Sequence, residues 1–175
     1  MKKLMLTIAA VAMAVCAQAA TVKWTGANIY EMGSTETKAT GYLAYFISSA
    51  DYSLAKAITD LTDQKTGFVG TYGVASATTN NGLAQNNITT EAGNSETWTG
   101  YLVIFNADTL EDATYAYLTG EATKTTGANG QQALLAFTSN TGTQDADNWY
   151  AVPEPTSGLL LLVGGALLAL KRKRA

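Results

Sequence analysis

The sequence predicts a mainly β protein: a sandwich-like single domain with one short amphipathic helix, followed by a hydrophobic helix at the C-terminus. Three features point there. Between Ala20 and Val152 the chain is dominated by Thr, Gly, Ala, Tyr and Asn, with short apolar runs separated by turn clusters. Thr and Tyr suit half-buried, pleated surfaces, and the runs recur at strand-like spacing. One stretch, residues 51–63, carries helical spacing instead. Residues 1–19 and 153–175 differ in composition from the span between them, which is one domain's worth of chain with no internal linker.

Taken in order, strands are expected over Val22–Tyr30, Gly41–Ser48, Gly67–Ala77, Glu96–Asn106, Thr114–Ala122, Gln132–Ser139 and Trp149–Val152. Asn81-Gly82 and Asn129-Gly130 are the strongest tight-turn signals, because both residue types tolerate positive φ. In the helical stretch Leu54, Ala57, Ile58 and Leu61 fall at i, i+3, i+4 and i+7, with Ser49, Asp51 or Ser53 available as N-cap and Gly67 beyond the end. Such a face needs an apolar floor, and the neighbouring run Tyr42–Ile47 has the continuity of a strand buried on both faces. That run also has an echo. Thr40–Phe46 (TGYLAYF) matches Thr99–Phe105 (TGYLVIF), which places two similar central strands either in one sheet or in each of two. Duplication and convergent strand composition both account for the match.

The N-terminus has Lys2 and Lys3, an apolar stretch from Leu4 to Ala17, and then Ala17-Gln18-Ala19. This order predicts a secretory signal peptide, with Ala17 and Ala19 as the small residues read by signal peptidase and the Sec translocon as the first partner. The stretch is too short for a comfortable transmembrane span. Val15 stands where a lipid-attachment site at Cys16 needs a small residue. Cleavage after Ala19 removes the one cysteine, and the chain has no histidine. Disulfides, Cys/His zinc sites, thiol nucleophiles and imidazole bases are thereby excluded from the exported part, and no cofactor or metal is expected. From Ala20 to Pro155 five lysines face 14 acidic residues, a formal charge of −9. Such a domain repels nucleic acid and anionic lipid.

Several constellations touch on chemistry. Ser53-Leu54-Ala55-Lys56 followed by Lys65-Thr66-Gly67 resembles fragments of the serine β-lactamase and penicillin-binding protein signature. The gap is too short, however, and the intervening S-D-N element is missing. Ser53 reads better as a first-turn residue and Lys56 as a solvated helix position. Asp60/Asp63, Glu111/Asp112 and Asp145/Asp147 are the carboxylate pairs from which a histidine-free hydrolase would have to draw. Asp145-Ala146-Asp147-Asn148 alternates oxygen ligands but lacks the Gly and distal Glu of an EF-hand loop. Asn87-Ile88-Thr89 is a glycosylation sequon. Trp24, Trp98 and Trp149 are candidate sugar platforms if exposed, although their strand positions favour core packing.

After Val152 the chain reads Pro153-Glu154-Pro155, then an apolar segment from Gly158 to Leu170, then Lys171, Arg172, Lys173 and Arg174 before Ala175. The two prolines cannot extend a ladder, so the tripeptide should form an accessible strip. Thirteen residues of helix reach roughly 20 Å against a hydrocarbon core of roughly 30 Å, a marginal span even with Lys171 and Arg172 snorkelling. The basic cluster should act as a cytoplasmic stop. This arrangement, Val152-Pro153-Glu154-Pro155 included, resembles the PEP-CTERM sorting signal of bacterial exported proteins. The resemblance covers only the C-terminal segment, together with the signal peptide at the other end. It implies an exosortase, a membrane processing enzyme acting at or near the motif, in bacteria that make extracellular polysaccharide. It implies nothing about the fold of residues 20–152. The expected function is a non-catalytic protein of the cell surface or extracellular matrix, membrane-anchored before processing. The alternatives are a module that binds extracellular polysaccharide and, third, a carboxylate-based hydrolase.

Overall fold

The computed structural model describes residues 19–61, 65–138 and 149–152. Ala17, Pro153, Glu154, Pro155, the C-terminal apolar segment and Lys171, Arg172, Lys173 and Arg174 lie outside these residues, as do Asp63, Asp145 and Asp147. The described residues are mainly β, with two sheets and two helices. Among the described residues no helix is long and apolar enough to cross a membrane.

The elements run β1 (Ala20–Ala27), β2 (Leu43–Ser48), α1 (Leu54–Asp60), α2 (Lys65–Tyr72), β3 (Gly73–Thr78), β4 (Ala84–Ala92), β5 (Thr97–Phe105), β6 (Tyr115–Leu118), β7 (Ala122–Thr125), β8 (Ala133–Thr138) and β9 (Tyr150–Ala151). The first sheet has the order β4-β1-β8, with β1 antiparallel to β4 and parallel to β8. The second has the order β3-β2-β5-β6-β9, and β7 continues the edge beside β5. Its pairs are all antiparallel.

Alternation along β1 buries Ala20, Val22 and Trp24 on one face, and β8 buries Ala133, Leu135 and Phe137 likewise. These meet Ala44, Phe46, Leu102 and Ile104 of the second sheet in one hydrophobic cluster. The opposite face of the second sheet supplies Ile47, Tyr101, Val103 and Phe105 to a second cluster, closed by Tyr52, Ala57 and Leu61 around α1 and by Phe68 and Val69 of α2. The central strand β5 is therefore buried on both faces from Gly100 to Phe105. That double burial explains its unbroken apolar run.

The structure departs from the sequence reading at four places. The expected strand Gly67–Ala77 is a strand only from Gly73, and its first half belongs to α2, a second helix beyond the single one expected. Phe68, Val69 and the aliphatic stem of Lys65 are buried there, so packing outweighs the poor helix propensity of Gly and β-branched residues. The expected helix over 51–63 is narrower, Leu54–Asp60. The strand β4 was not foreseen, because AQNNITTEA carries little apolar alternation and only Ala84 and Ala92 are buried. The expected strand Thr114–Ala122 is divided into β6 and β7. Between them the buried Thr119 replaces a ladder contact, its backbone N–H donating to Leu102 and its hydroxyl accepting from the Leu102 N–H.

Asn81 and Gly82 both take positive φ, as the turn signal requires, and carry the chain from β3 to β4, that is, from one sheet to the other. At Asn129-Gly130 only Gly130 does so, within a 3-10 turn leading into β8. At the other end of the domain β9 pairs with β6, and the Val152 N–H donates to the Thr114 carbonyl at 2.9 Å. The Val152 side chain is buried in the second cluster.

Candidate functional site

Burial redistributes the expected site residues. Trp24 is fully buried and its indole N–H donates to the Ala75 carbonyl at 2.8 Å, where β3 bulges and Ala75 takes positive φ. It bonds the first sheet to the edge of the second and offers no ring to a ligand. Trp149 is also buried, wedged between Tyr42 and Tyr117 with ring centroids 5.9 and 5.6 Å away. Trp98 is half-buried against the first cluster. The indole N–H groups of Trp98 and Trp149 are buried without a hydrogen-bond partner among the described residues. The sugar-platform reading of Trp24 and Trp149 is thus corrected by the packing of β1 and the β9 region. Val152, expected to close the last strand ahead of the Pro153-Glu154-Pro155 strip, is a core residue. Ala19 is exposed immediately before the buried Ala20.

The S-x-x-K and K-T-G fragments separate on inspection. Ser53 is the extended N-cap residue of α1, and its side chain makes no capping bond. Lys65 opens α2, is buried, and donates its ammonium to the backbone carbonyls of Ala113 and Glu111. It is a structural cation that holds the Glu111–Ala113 loop. Asn87 of the sequon is exposed on β4. Among the described residues no group of three or more His, Cys, Asp or Glu gathers in metal-binding proximity.

The site the structure brings together was not singled out by sequence. Tyr52, Lys56 and Asp60 stand at i, i+4 and i+8 and line a cleft of about 340 Å³ with Gly67, Phe68, Thr71 and Tyr72 of α2. Lys56 and Asp60, four residues apart, share one side of α1, and Tyr52 meets them from the turn that precedes the helix. Lys56 pairs with Asp60 at 3.0 Å and donates to the Tyr52 hydroxyl at 2.9 Å, while that hydroxyl donates to the Asp60 carboxylate. The ammonium also lies 4.4 Å from the Tyr52 ring centroid. The Tyr52 ring is packed against Tyr72 and Phe68, with centroids 4.3 and 4.9 Å away. From below, the buried Tyr101 hydroxyl donates to the Tyr52 backbone carbonyl at 3.0 Å.

The charges follow from these contacts. Hydrogen bonds from Tyr52 and then Lys56 hold the Asp60 carboxyl below its ordinary range. Bonds to Tyr52 and Asp60 push the Lys56 ammonium above its own. Burial, followed by the Asp60 contact, raises the Tyr52 phenol. Near neutral pH the cleft therefore holds an ammonium, a carboxylate and a neutral phenol. Among the described residues that line it there is one carboxylate, that of Asp60. Comparison with family models, curated proteins and solved structures finds no match.

Proposed function

We propose that the chain is an exported protein of the cell surface or extracellular matrix, non-catalytic, with a sandwich-like domain sorted through its C-terminal segment by an exosortase-type enzyme. The observation that carries this reading is a coincidence of boundaries. β1 begins at Ala20, the residue after the expected signal-peptidase cut, and Ala20 is fully buried. Val152 is buried and its N–H donates to the Thr114 carbonyl, directly before Pro153-Glu154-Pro155 in the sequence. Addressing segments that are cut away have to leave the core intact, and a mature span that begins at Ala20 and runs through Val152 keeps both of these buried residues.

A Pro153→Ala/Glu154→Ala/Pro155→Ala variant tests the reading in the producing bacterium. It should accumulate in the inner membrane at its unprocessed mass while the wild type reaches the surface. Equal surface delivery of both would contradict the proposal. The polysaccharide-binding reading is second, favoured by the Tyr52–Lys56–Asp60 cleft rather than by the tryptophans. The hydrolase reading stands third, because among the described residues that line the cleft Asp60 is the one carboxylate and glycoside hydrolysis needs a facing pair.

A further inference from the structure

The geometry points to the cleft between α1 and α2 as a binding site for a neutral hydroxylated ring, a hexopyranose unit presented with two adjacent hydroxyls. The triad leaves hydrogen-bonding capacity unused. The Lys56 ammonium has three N–H donors, of which one goes to Tyr52 and one to Asp60. Asp60 receives both of its contacts on Oδ2, which leaves Oδ1 without a partner among the described residues. One charged donor and one charged acceptor, held side by side on one helix, match neighbouring hydroxyls that accept and donate in turn.

The aromatic side completes the match. The half-buried Tyr72 flanks the triad, its ring fixed against Tyr52 and Phe68, and the exposed Thr71 adds a hydroxyl to the lining. A saccharide ring has an apolar C–H face and a polar rim, and a cleft with an aromatic wall and a polar edge is complementary to both. Charge argues against the other ligand classes. Lys56 is already neutralised by Asp60 in a domain of formal charge −9, so an anion meets net repulsion. A cation would have to displace the Lys56 ammonium from the Tyr52 ring and from Asp60. The site stands on its own contacts and does not depend on the sorting proposal.

The test titrates the full-length chain with the methyl glycosides of glucose, galactose and mannose, followed by amide and side-chain NMR. The protein is held in a micelle whose detergent carries no sugar headgroup. At least one glycoside should shift the resonances of Lys56, Asp60, Thr71 and Tyr72, and methyl glucuronide should bind more weakly than its neutral counterpart. Lys56→Met keeps the aliphatic stem and should weaken binding about tenfold, the loss expected for one hydrogen bond to a charged group. Tyr72→Ala should abolish binding while the spectrum of β1 and β8 stays unchanged. The proposal fails if none of the three glycosides moves the cleft resonances. It fails equally if the shifts persist in both variants, or if glucuronide binds as well as glucoside.

Discussion

Trp24 shows how one side chain can serve two sheets. Its ring fills the first cluster while its indole N–H reaches the Ala75 carbonyl on the bulged edge strand β3. Trp24→Phe keeps most of the volume and leaves that carbonyl without its donor, so urea unfolding should show a loss of about 1–3 kcal/mol. A neutral substitution would mean that the indole bond contributes nothing. Asp60 is read through pH. Its pKa is lowered on folding, so the stability it contributes is complete above its unfolded value of about 3.9 and is lost as pH falls through the folded one. Lys56 and Tyr52 are raised, so their contribution is complete below about pH 10 and is lost as pH rises beyond it. The Tm gap between wild type and Asp60→Asn should therefore be constant from about pH 5 to 9 and shrink below about pH 4. A gap that ignores acid would exclude the triad as the source of the shift.

Among the elements, β5 organises the molecule. It is buried on both faces, pairs with β2 on one side, and on the other pairs with β7 and β6 in succession. Gly100 makes the β2 pairing possible: a Cβ there would run into the Ile47 carbonyl oxygen and the Phe46 ring. Gly100→Ala should cost about 1–3 kcal/mol through overpacking, measured by thermal or urea unfolding. An unchanged midpoint would show that β2 can yield at this point. The sequence echo is resolved by the same pairing. Leu43–Phe46 of the first copy and Thr99–Phe105 of the second lie in one sheet, where their strands β2 and β5 are antiparallel neighbours. Corresponding residues face opposite ways: Phe46 joins the first cluster and Phe105 the second. A two-fold axis relating two antiparallel neighbours keeps each face, so no such axis relates the copies. Convergent strand composition explains the echo better than duplication.

The same elements show what sequence could and could not disclose. β5 and β8 were legible because burial writes itself into apolar residues at strand spacing. α1 was legible from Leu54, Ala57, Ile58 and Leu61, although its ends fray inward by a few residues. α2 was hidden because Phe68 and Val69 suit a strand as well as a helix, and only their burial against the second sheet decides between them. The candidate site suffered a similar fate. Large aromatic rings mark the tryptophans as platforms only where they are exposed, exposure is a property of topology, and two of the three are core residues. The four-residue rhythm of Tyr52, Lys56 and Asp60 was the available signal. It went unused because an isolated Lys–Asp pair usually marks nothing more than a solvated helix face.

At the scale of the whole molecule, two clusters share one central sheet, and that architecture places its boundary residues inside the core. Ala20 belongs to the cluster between the sheets and Val152 to the cluster beneath the helices. From Ala20 to Pro155 the formal charge is −9, a balance that works against association with other polyanions. If the terminal segments are addresses, the mature protein consists of the folded span and little else. The most direct test is the intact mass and C-terminal peptide of the protein recovered from the surface of its native producer. A C-terminus at or near Pro155 is the result expected from sorting and processing. Recovery of the intact C-terminal sequence, Lys171 to Arg174 and Ala175 included, would contradict it.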